Sequence, residues 1–405
     1  MSLTSLAGSP LRARLDTLRR DLRTVASDLL GRRGEPFELR APLLRHHHVI
    51  LGAEEALAPR AVRIDRVVRE TKDAVTLHLV DPTGAPFSFV PGQFLTLLVE
   101  VGGETLRRAY SICSGIDEDP CRVAITSKRV QGGRVSNHLN DAAREGDALR
   151  VLGPSGSFTV APDPARRRDL VLIGGGSGIT PLFSIAKSVL GREPGSRVAL
   201  IYGSRSRDEV IFREAIAALA EAHPVRLTVR HVLEIPSVGW AARVGRLTAA
   251  ICGAELDALA PPAGDLEPAE FFVCGPDAMM GAVREALGAR GVEPARIHEE
   301  RFSSPAQRAA APPPSSPQPI TLRLRGETRT VTARPAQTIL EAGLSAGAPM
   351  PFSCAMGGCG KCKVRLVEGE VVAEEPNCLS AEERAAGFVL ACVSRAARPT
   401  TVEVA

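Results

Sequence analysis

Four cysteines in the last fifth of the chain are spaced for joint chemistry. Cys354, Cys359 and Cys362 follow one another as C-x4-C-x2-C, and Cys392 comes after 29 further residues. Thiolates at this spacing suit a two-iron [2Fe–2S] cluster, with three ligands on one tight loop and the fourth arriving from a distant strand. Gly357, Gly358 and Gly360 let the loop turn backbone N–H groups toward the sulfurs and stabilise their negative charge. Zinc is the alternative, but zinc loops usually pair two C-x2-C knuckles, and only one such pair exists here. The remaining cysteines, Cys113, Cys121, Cys252, Cys274 and Cys378, read mostly as small hydrophobes.

Two glycine-rich stretches suit phosphates. Ile173-Gly174-Gly175-Gly176-Ser177-Gly178-Ile179-Thr180-Pro181 follows an apolar run and opens a helical pattern. Its glycines permit close approach to a pyrophosphate, and the helix start favours the anion. The pattern is not G-x-G-x-x-G, and no acidic residue ends the next strand to hold a ribose diol. That strand ends in Tyr202-Gly203-Ser204-Arg205-Ser206-Arg207, with Arg213 close behind. Arg205 and Arg213 suit a 2′-phosphate and favour NADPH, while Asp208 keeps NADH open. The second stretch is Gly132-Gly133-Arg134-Val135-Ser136-Asn137, two glycines followed closely by a hydroxyl residue.

The elements that position these groups divide the chain of 405 residues into segments, as expected for two or three domains. Residues 61–162 alternate apolar and polar in short runs, such as Val62–Val67 and Thr76–Leu79, and predict an antiparallel sheet or barrel. Residues 163–302 alternate apolar strands (Leu170–Ile173, Val198–Tyr202, Phe271–Cys274) with helical stretches and predict a parallel α/β unit. Residues 303–319 form a linker rich in Pro, Ala and Ser. Residues 320–405 hold the four cysteines. Residues 1–60 are Arg-rich, with a stripe of Leu11, Leu15, Leu18, Leu22, Val25 and Leu29. That stripe fits a helix packed on its own chain, a partner-docking helix or a membrane-surface helix.

Composition narrows the function. Hydrophobic residues are 44% and charged residues 24%, ordinary for a globular chain. A net charge of +4 and 4% aromatics give no base for nucleic-acid binding. The apolar stretch Leu170–Leu190 is broken by four glycines, Pro181 and Lys187, so no transmembrane helix is expected. The N-terminus lacks the pattern of a signal peptide, and nine cysteines then fit a cytoplasmic, metal-binding chain better than disulfides.

Taken together, the motifs resemble the ferredoxin-NADP reductase family, in the order flavin, nicotinamide, ferredoxin found in oxygenase and desaturase reductase components. The resemblance implies an antiparallel β-barrel flavin domain, an α/β nicotinamide domain and an α+β (β-grasp) ferredoxin domain; the helical N-terminal extension over 1–60 is expected from the leucine stripe and has no counterpart in the resemblance. Arg108-Ala109-Tyr110-Ser111 resembles the family's R-x-Y-S element. There Arg108 would pair with a flavin phosphate, Tyr110 would lie against the ring, and Ser111 would reach a ring heteroatom. Gly133 and Ser136 match the second phosphate element, and FAD is expected, with FMN as the alternative. Thr180 would line the nicotinamide pocket. Cys274 and Gly275 match the C-G-P element, with Cys274 shaping hydride approach. Phe302 closes an H-x-E-R-F element as an aromatic near the flavin. Cys392, rather than Cys378, matches the distal cluster ligand. The implied activity is NAD(P)H-dependent electron transfer through FAD and a [2Fe–2S] cluster to a one-electron acceptor protein, an oxygenase, hydroxylase or desaturase. The alternatives are reduction of a hybrid-cluster or nitric oxide-detoxifying protein, and a redox-sensing adaptor without turnover.

Overall fold

The computed structural model describes residues 59–259, 267–302, 314–324, 326–374 and 377–404. The N-terminal leucine stripe and most of the Pro-rich linker lie outside the described residues.

The first sheet is wholly antiparallel. Its strands are β1 (Arg60–Thr71), β2 (Ala74–Val80), β3 (Phe94–Val101), β4 (Glu104–Ser111), β5 (Arg122–Lys128) and β6 (Ala148–Ser155), in the order β4-β3-β6-β1-β2-β5. Period-2 alternation puts Val62, Ile64, Leu77, Leu79, Leu95, Leu97 and Ile125 into one interior. The two edges meet at an Ile112–Ile125 bridge, which closes the sheet into a barrel. Helix α1 (Arg134–Ala142) contributes Val135 and Leu139 to the same interior.

The second sheet is parallel. It comprises β7 (Arg168–Gly175), β8 (Arg197–Ser206), β9 (Leu227–Ile235), β10 (Arg243–Val244), β11 (Glu267–Cys274) and β12 (Ile297–Glu300), ordered β10-β9-β8-β7-β11-β12. Helices α2 (Ile179–Arg192) and α3 (Arg213–Ala222) cover one face, and α4 (Ala249–Asp257) and α5 (Asp277–Gly288) cover the other. Within β7, Leu170 and Leu172 face the first pair, and Val171 and Ile173 the second. Burial on both faces explains the unbroken apolar runs in these strands.

The third sheet is mixed. It contains β13 (Gln318–Leu324), β14 (Glu327–Ala333), β15 (Lys363–Glu368), β17 (Phe388–Leu390) and β19 (Thr400–Val404), and β16 (Val371–Ala373) pairs separately with β18 (Ser394–Ala396). Helix α6 (Ile339–Ser345) packs across it, and a short helix, α7 (Ala381–Ala385), precedes β17. Thr338 caps α6 in a reciprocal capping box with Glu341. Among the described residues no helix is long and apolar enough to cross a membrane.

The barrel and the parallel unit share a core. Ala74, Cys113, Ala124, Phe158 and Val160 of the first pack with Leu182, Ile185, Val189 and Phe272 of the second. The Phe158 and Phe272 rings meet edge-on at 5.5 Å. Gly92 sits at this joint with φ +97°, and a Cβ there would lie 1.9 Å from the Phe158 carbonyl oxygen. Both the conformation and the space demand glycine. Gly92→Ala is expected to destabilise the protein by roughly 1–3 kcal/mol, as an overpacked joint would. Urea titration followed by tryptophan fluorescence checks this.

Candidate functional site

Strand β4 carries the R-x-Y-S stretch. Arg108 is half-buried, its Nη1 donates to the Arg107 carbonyl at 2.7 Å, and its charge lies near Tyr110 and Arg134. Tyr110 packs against the barrel core. Helix α1 starts at Gly133 with no side chain capping its first turn. Its first amides therefore stay available to an anion beside Arg108 and Arg134. Ser136 sits at this end, its Oγ accepting from the Val130 amide at 3.2 Å.

The second glycine stretch lies at the carboxyl end of β7. Strands β8 and β11 flank β7 on opposite sides, so the stretch opens onto the crevice where the strand order reverses. A 3-10 turn, Gly176–Gly178, leads from β7 into α2. A Cβ on Gly178 would lie 2.0 Å from the Cys274 carbonyl oxygen. Packing on the end of β11 thus demands this glycine, in addition to any approach by phosphate. Gly175 and Gly275 lie against each other and Met279. Thr180 is buried, its hydroxyl donating to the Ser177 carbonyl at 2.9 Å.

Sequence reasoning missed Lys128. It ends β5 on the barrel, and its Nζ lies 3.5 Å from where a Cβ on Gly176 would be. One of only five lysines in an Arg-rich chain, it was distinguishable by type. Only the fold shows that it reaches the Gly176 turn. Arg205 and Arg213 are both exposed. Arg213 lies 3.7 Å from Asp208 and 3.8 Å from Glu214, whereas Arg205 makes no ion pair among the described residues. Phe212, just before Arg213, has φ +60° and donates its amide to Glu70 on β1 at 3.3 Å. The start of α3 is thereby tied to the barrel.

Barrel and parallel unit meet chemically at Ser111. Its Oγ donates to Glu300 Oε2 at 3.3 Å, and Glu300 on β12 is the register partner of Cys274 on β11. Burial pushes the Glu300 carboxyl up to about 8. Burial, with Glu300 nearby, pushes the Cys274 thiol well up, which keeps it un-ionised and unsuited to nucleophilic attack. Glu300 was legible as part of H-x-E-R-F, but nothing in the sequence marked it as the residue that meets Ser111. Phe302, two residues on, is 45% exposed.

The four cysteines lie close enough to act on one another's charge, Cys354 most strongly with Cys359 and Cys362 most strongly with Cys392. Four neighbouring thiols suit a two-iron cluster, in which each iron takes two thiolates. The Gly357 amide donates to Cys392 Sγ at 3.2 Å, support for sulfur charge that a cluster requires. The chain's own residues thus fit the group. Cys392 lies not on a strand but in the turn between β17 and β18, where Ala391 donates its amide to the Cys362 carbonyl at 2.9 Å. The turn frees the thiol from strand alternation. Cys354, Cys362 and Cys392 are buried, and Cys359 is exposed. Cys378 lies beside the loop, its amide donating to the Gly357 carbonyl at 3.0 Å.

Family models match in the same order along the chain. Residues 62–160 match an oxidoreductase FAD-binding domain, 172–285 an oxidoreductase NAD-binding domain, and 322–397 a 2Fe-2S iron-sulfur cluster binding domain. A component protein of the Escherichia coli 1,2-phenylacetyl-CoA epoxidase is 35% identical over 338 residues, covering 82% of this chain and 93% of that protein. The chain belongs to the ferredoxin-NADP reductase family, in its branch with a [2Fe–2S] domain. The reductase is also 36% identical to the ferredoxin reductase component of Rhodococcus rhodochrous 3-ketosteroid-9-alpha-monooxygenase, with the same coverages of 82% and 93%. Among solved structures, phthalate dioxygenase reductase superposes with a TM-score of 0.57 at 26% identity, covering 87% of this chain and 100% of that one. The reductase is an NAD(P)H-dependent oxidoreductase that uses FAD and a [2Fe–2S] cluster.

The Glu300 carboxyl has a consequence for stability. Its folded-state value of about 8 lies above the ordinary 4.5, so the fold favours the protonated form. Its contribution is complete below about pH 4.5 and fades as pH rises toward 8. In the apoprotein, Glu300→Gln should flatten this decline, read as urea midpoints at pH 5 and pH 9.

Proposed function

We propose that the reductase draws hydride from NADPH and delivers the electrons singly to an oxygenase component. The observation that carries this reading is the position of β4, whose flavin-type motif touches the nucleotide unit through Ser111 and the cysteine loop through Ala109, whose amide donates to Met356 Sδ at 3.2 Å. When bound, the flavin takes electrons in pairs and releases them one by one, matching nicotinamide to a one-electron cluster. Each residue then has a task. Arg108, Gly133 and Ser136 hold the flavin phosphates, and Tyr110 supports the ring. Gly174, Gly175, Gly176, Ser177, Gly178, Thr180 and Gly275 receive the nucleotide, with Lys128 adding positive charge. Ser111 and Glu300 orient the reacting edge, and Cys274 shapes the approach of the nicotinamide. Phe302 shields the flavin. Cys354, Cys359, Cys362 and Cys392 hold the cluster.

The oxygenase acceptor follows from the relatives, whose names describe components of an epoxidase and of a monooxygenase. The division into a flavin unit (61–162), a nucleotide unit (163–302), a linker (303–319) and a cluster unit (320–405) belongs to the same proposal. For the nucleotide, Arg205 receives the 2′-phosphate, because it is exposed and makes no ion pair among the described residues, and the exposed Arg213 adds positive charge. NADH is the second reading, because Asp208 next to Arg213 could hold a 2′-hydroxyl.

Anaerobic titration tests both. The purified protein should show a flavin band with a longer-wavelength cluster shoulder, both bleached by NADPH. Arg205→Ala should lower kcat/KM for NADPH about tenfold, the loss of one charge-assisted contact, and leave NADH within about twofold. Equal losses for both nucleotides would remove Arg205 from phosphate recognition.

A further inference from the structure

The two joints of the barrel are built differently. The joint with the nucleotide unit is a shared apolar core. The joint with the cluster unit is a small patch: Leu98 and Leu152 of the barrel with Ala355 of the cysteine loop. Around it lie discrete polar contacts. Thr96 Oγ1 donates to the Cys354 carbonyl at 3.0 Å. The Ala109 amide donates to Met356 Sδ at 3.2 Å. Arg107 makes the widest connection, with Nη1 donating to the Ala355 carbonyl at 3.4 Å and Nη2 to Glu341 Oε1 at 3.0 Å.

Glu341 is prepared for this partner. Its other oxygen accepts the Thr338 amide at 2.9 Å in the capping box of α6. The carboxylate is thus fixed by its own helix before it meets Arg107. Ala355 is prepared as well, with φ +51°. A non-glycine residue in this left-handed region is held there by its surroundings. Here that conformation goes with a carbonyl turned to Arg107 and a methyl group on Leu98 and Leu152.

We infer that Arg107 is the latch that seats the cluster loop on the flavin strand, a positioning residue for internal electron transfer whose bonds are weak enough to release. The inference rests on the functional reading above. One NADPH gives NADP⁺, a proton to solvent and two electrons, and each electron crosses this joint singly to a one-electron acceptor. Arg107 and Glu341 are each about one-third exposed, at 34% and 29%. Such a pair is screened by salt and holds the joint modestly enough for it to open. The Arg107 guanidinium is committed to the cluster unit through Ala355 and Glu341, and Arg108 meets only the Arg107 backbone carbonyl.

The test compares the holoprotein with Arg107→Glu, Arg107→Gln and Arg107→Lys. Small-angle scattering reads seating directly and needs no turnover. Arg107→Glu should enlarge the radius of gyration, raised salt should do the same to the unaltered protein, and Arg107→Lys should restore compactness. Cytochrome c reduction through the cluster should fall about tenfold or more, as a displaced donor would cause. Flavin bleaching by NADPH and ferricyanide reduction at the flavin should stay within about twofold. Unchanged scattering in Arg107→Glu overturns the latch, and so does a larger radius with undiminished cytochrome c reduction. Should Arg107→Glu fold poorly, Arg107→Gln and the salt series decide by the same criteria. Failure of NADPH to bleach the flavin in the unaltered protein would instead overturn the functional reading itself.

Discussion

One strand, β4, touches all three units, and its geometry constrains the rest of the molecule. Arg107 reaches the cluster unit, Ser111 reaches the nucleotide unit, and Arg108 and Tyr110 lie between them on the same strand. A strand advances about 3.3 Å per residue, so these contacts are confined to one short rigid segment. Short of the Ile112–Ile125 bridge that closes the barrel, the Ala109 amide of β4 finds its partner in Met356 of the cysteine loop.

The electrostatics of the junction follow from burial. Glu300, Cys274 and Ser111 come together where two units close on each other, and little water remains to stabilise charge. The carboxyl and the thiol both favour their neutral forms. A neutral pocket beside basic residues such as Lys128 and Arg108 separates two requirements. In the proposed function the basic residues would draw the phosphates, and the reacting edges would meet without competing charge.

Much of this was legible in the sequence, for identifiable reasons. Strands at Val62–Val67, Thr76–Leu79, Leu170–Ile173, Val198–Tyr202 and Phe271–Cys274 lie where their alternation or continuous apolarity placed them. The cysteine spacing, a local property, located the cluster loop. What stayed hidden depends on contacts between distant segments. Ser111 and Glu300 are 189 positions apart, and Arg107 and Glu341 are 234 apart. No periodicity links such pairs. Lys128 and Arg107 are ordinary basic residues until the fold sets a glycine turn beside one and a capped carboxylate beside the other. The placement of Cys392 in a turn rather than a strand was hidden for a related reason: its neighbours alone look like a short apolar strand.

The shared core of barrel and nucleotide unit also bears on the order in which the chain can be completed during synthesis. Phe158, Val160, Cys113, Ala74 and Ala124 are all made before α2, yet they are buried against Leu182, Ile185 and Val189 of that helix. The barrel therefore leaves the ribosome with an apolar flank uncovered, and it is finished only when residues near 190 have emerged and folded back. The cluster unit has its own interior, built from Ile320 to Val404, and meets the earlier barrel through the small patch of Ala355 on Leu98 and Leu152 and the polar contacts around it. The vulnerable interval of biosynthesis lies between the end of β6 and the end of α2, where exposed apolar surface invites misassociation.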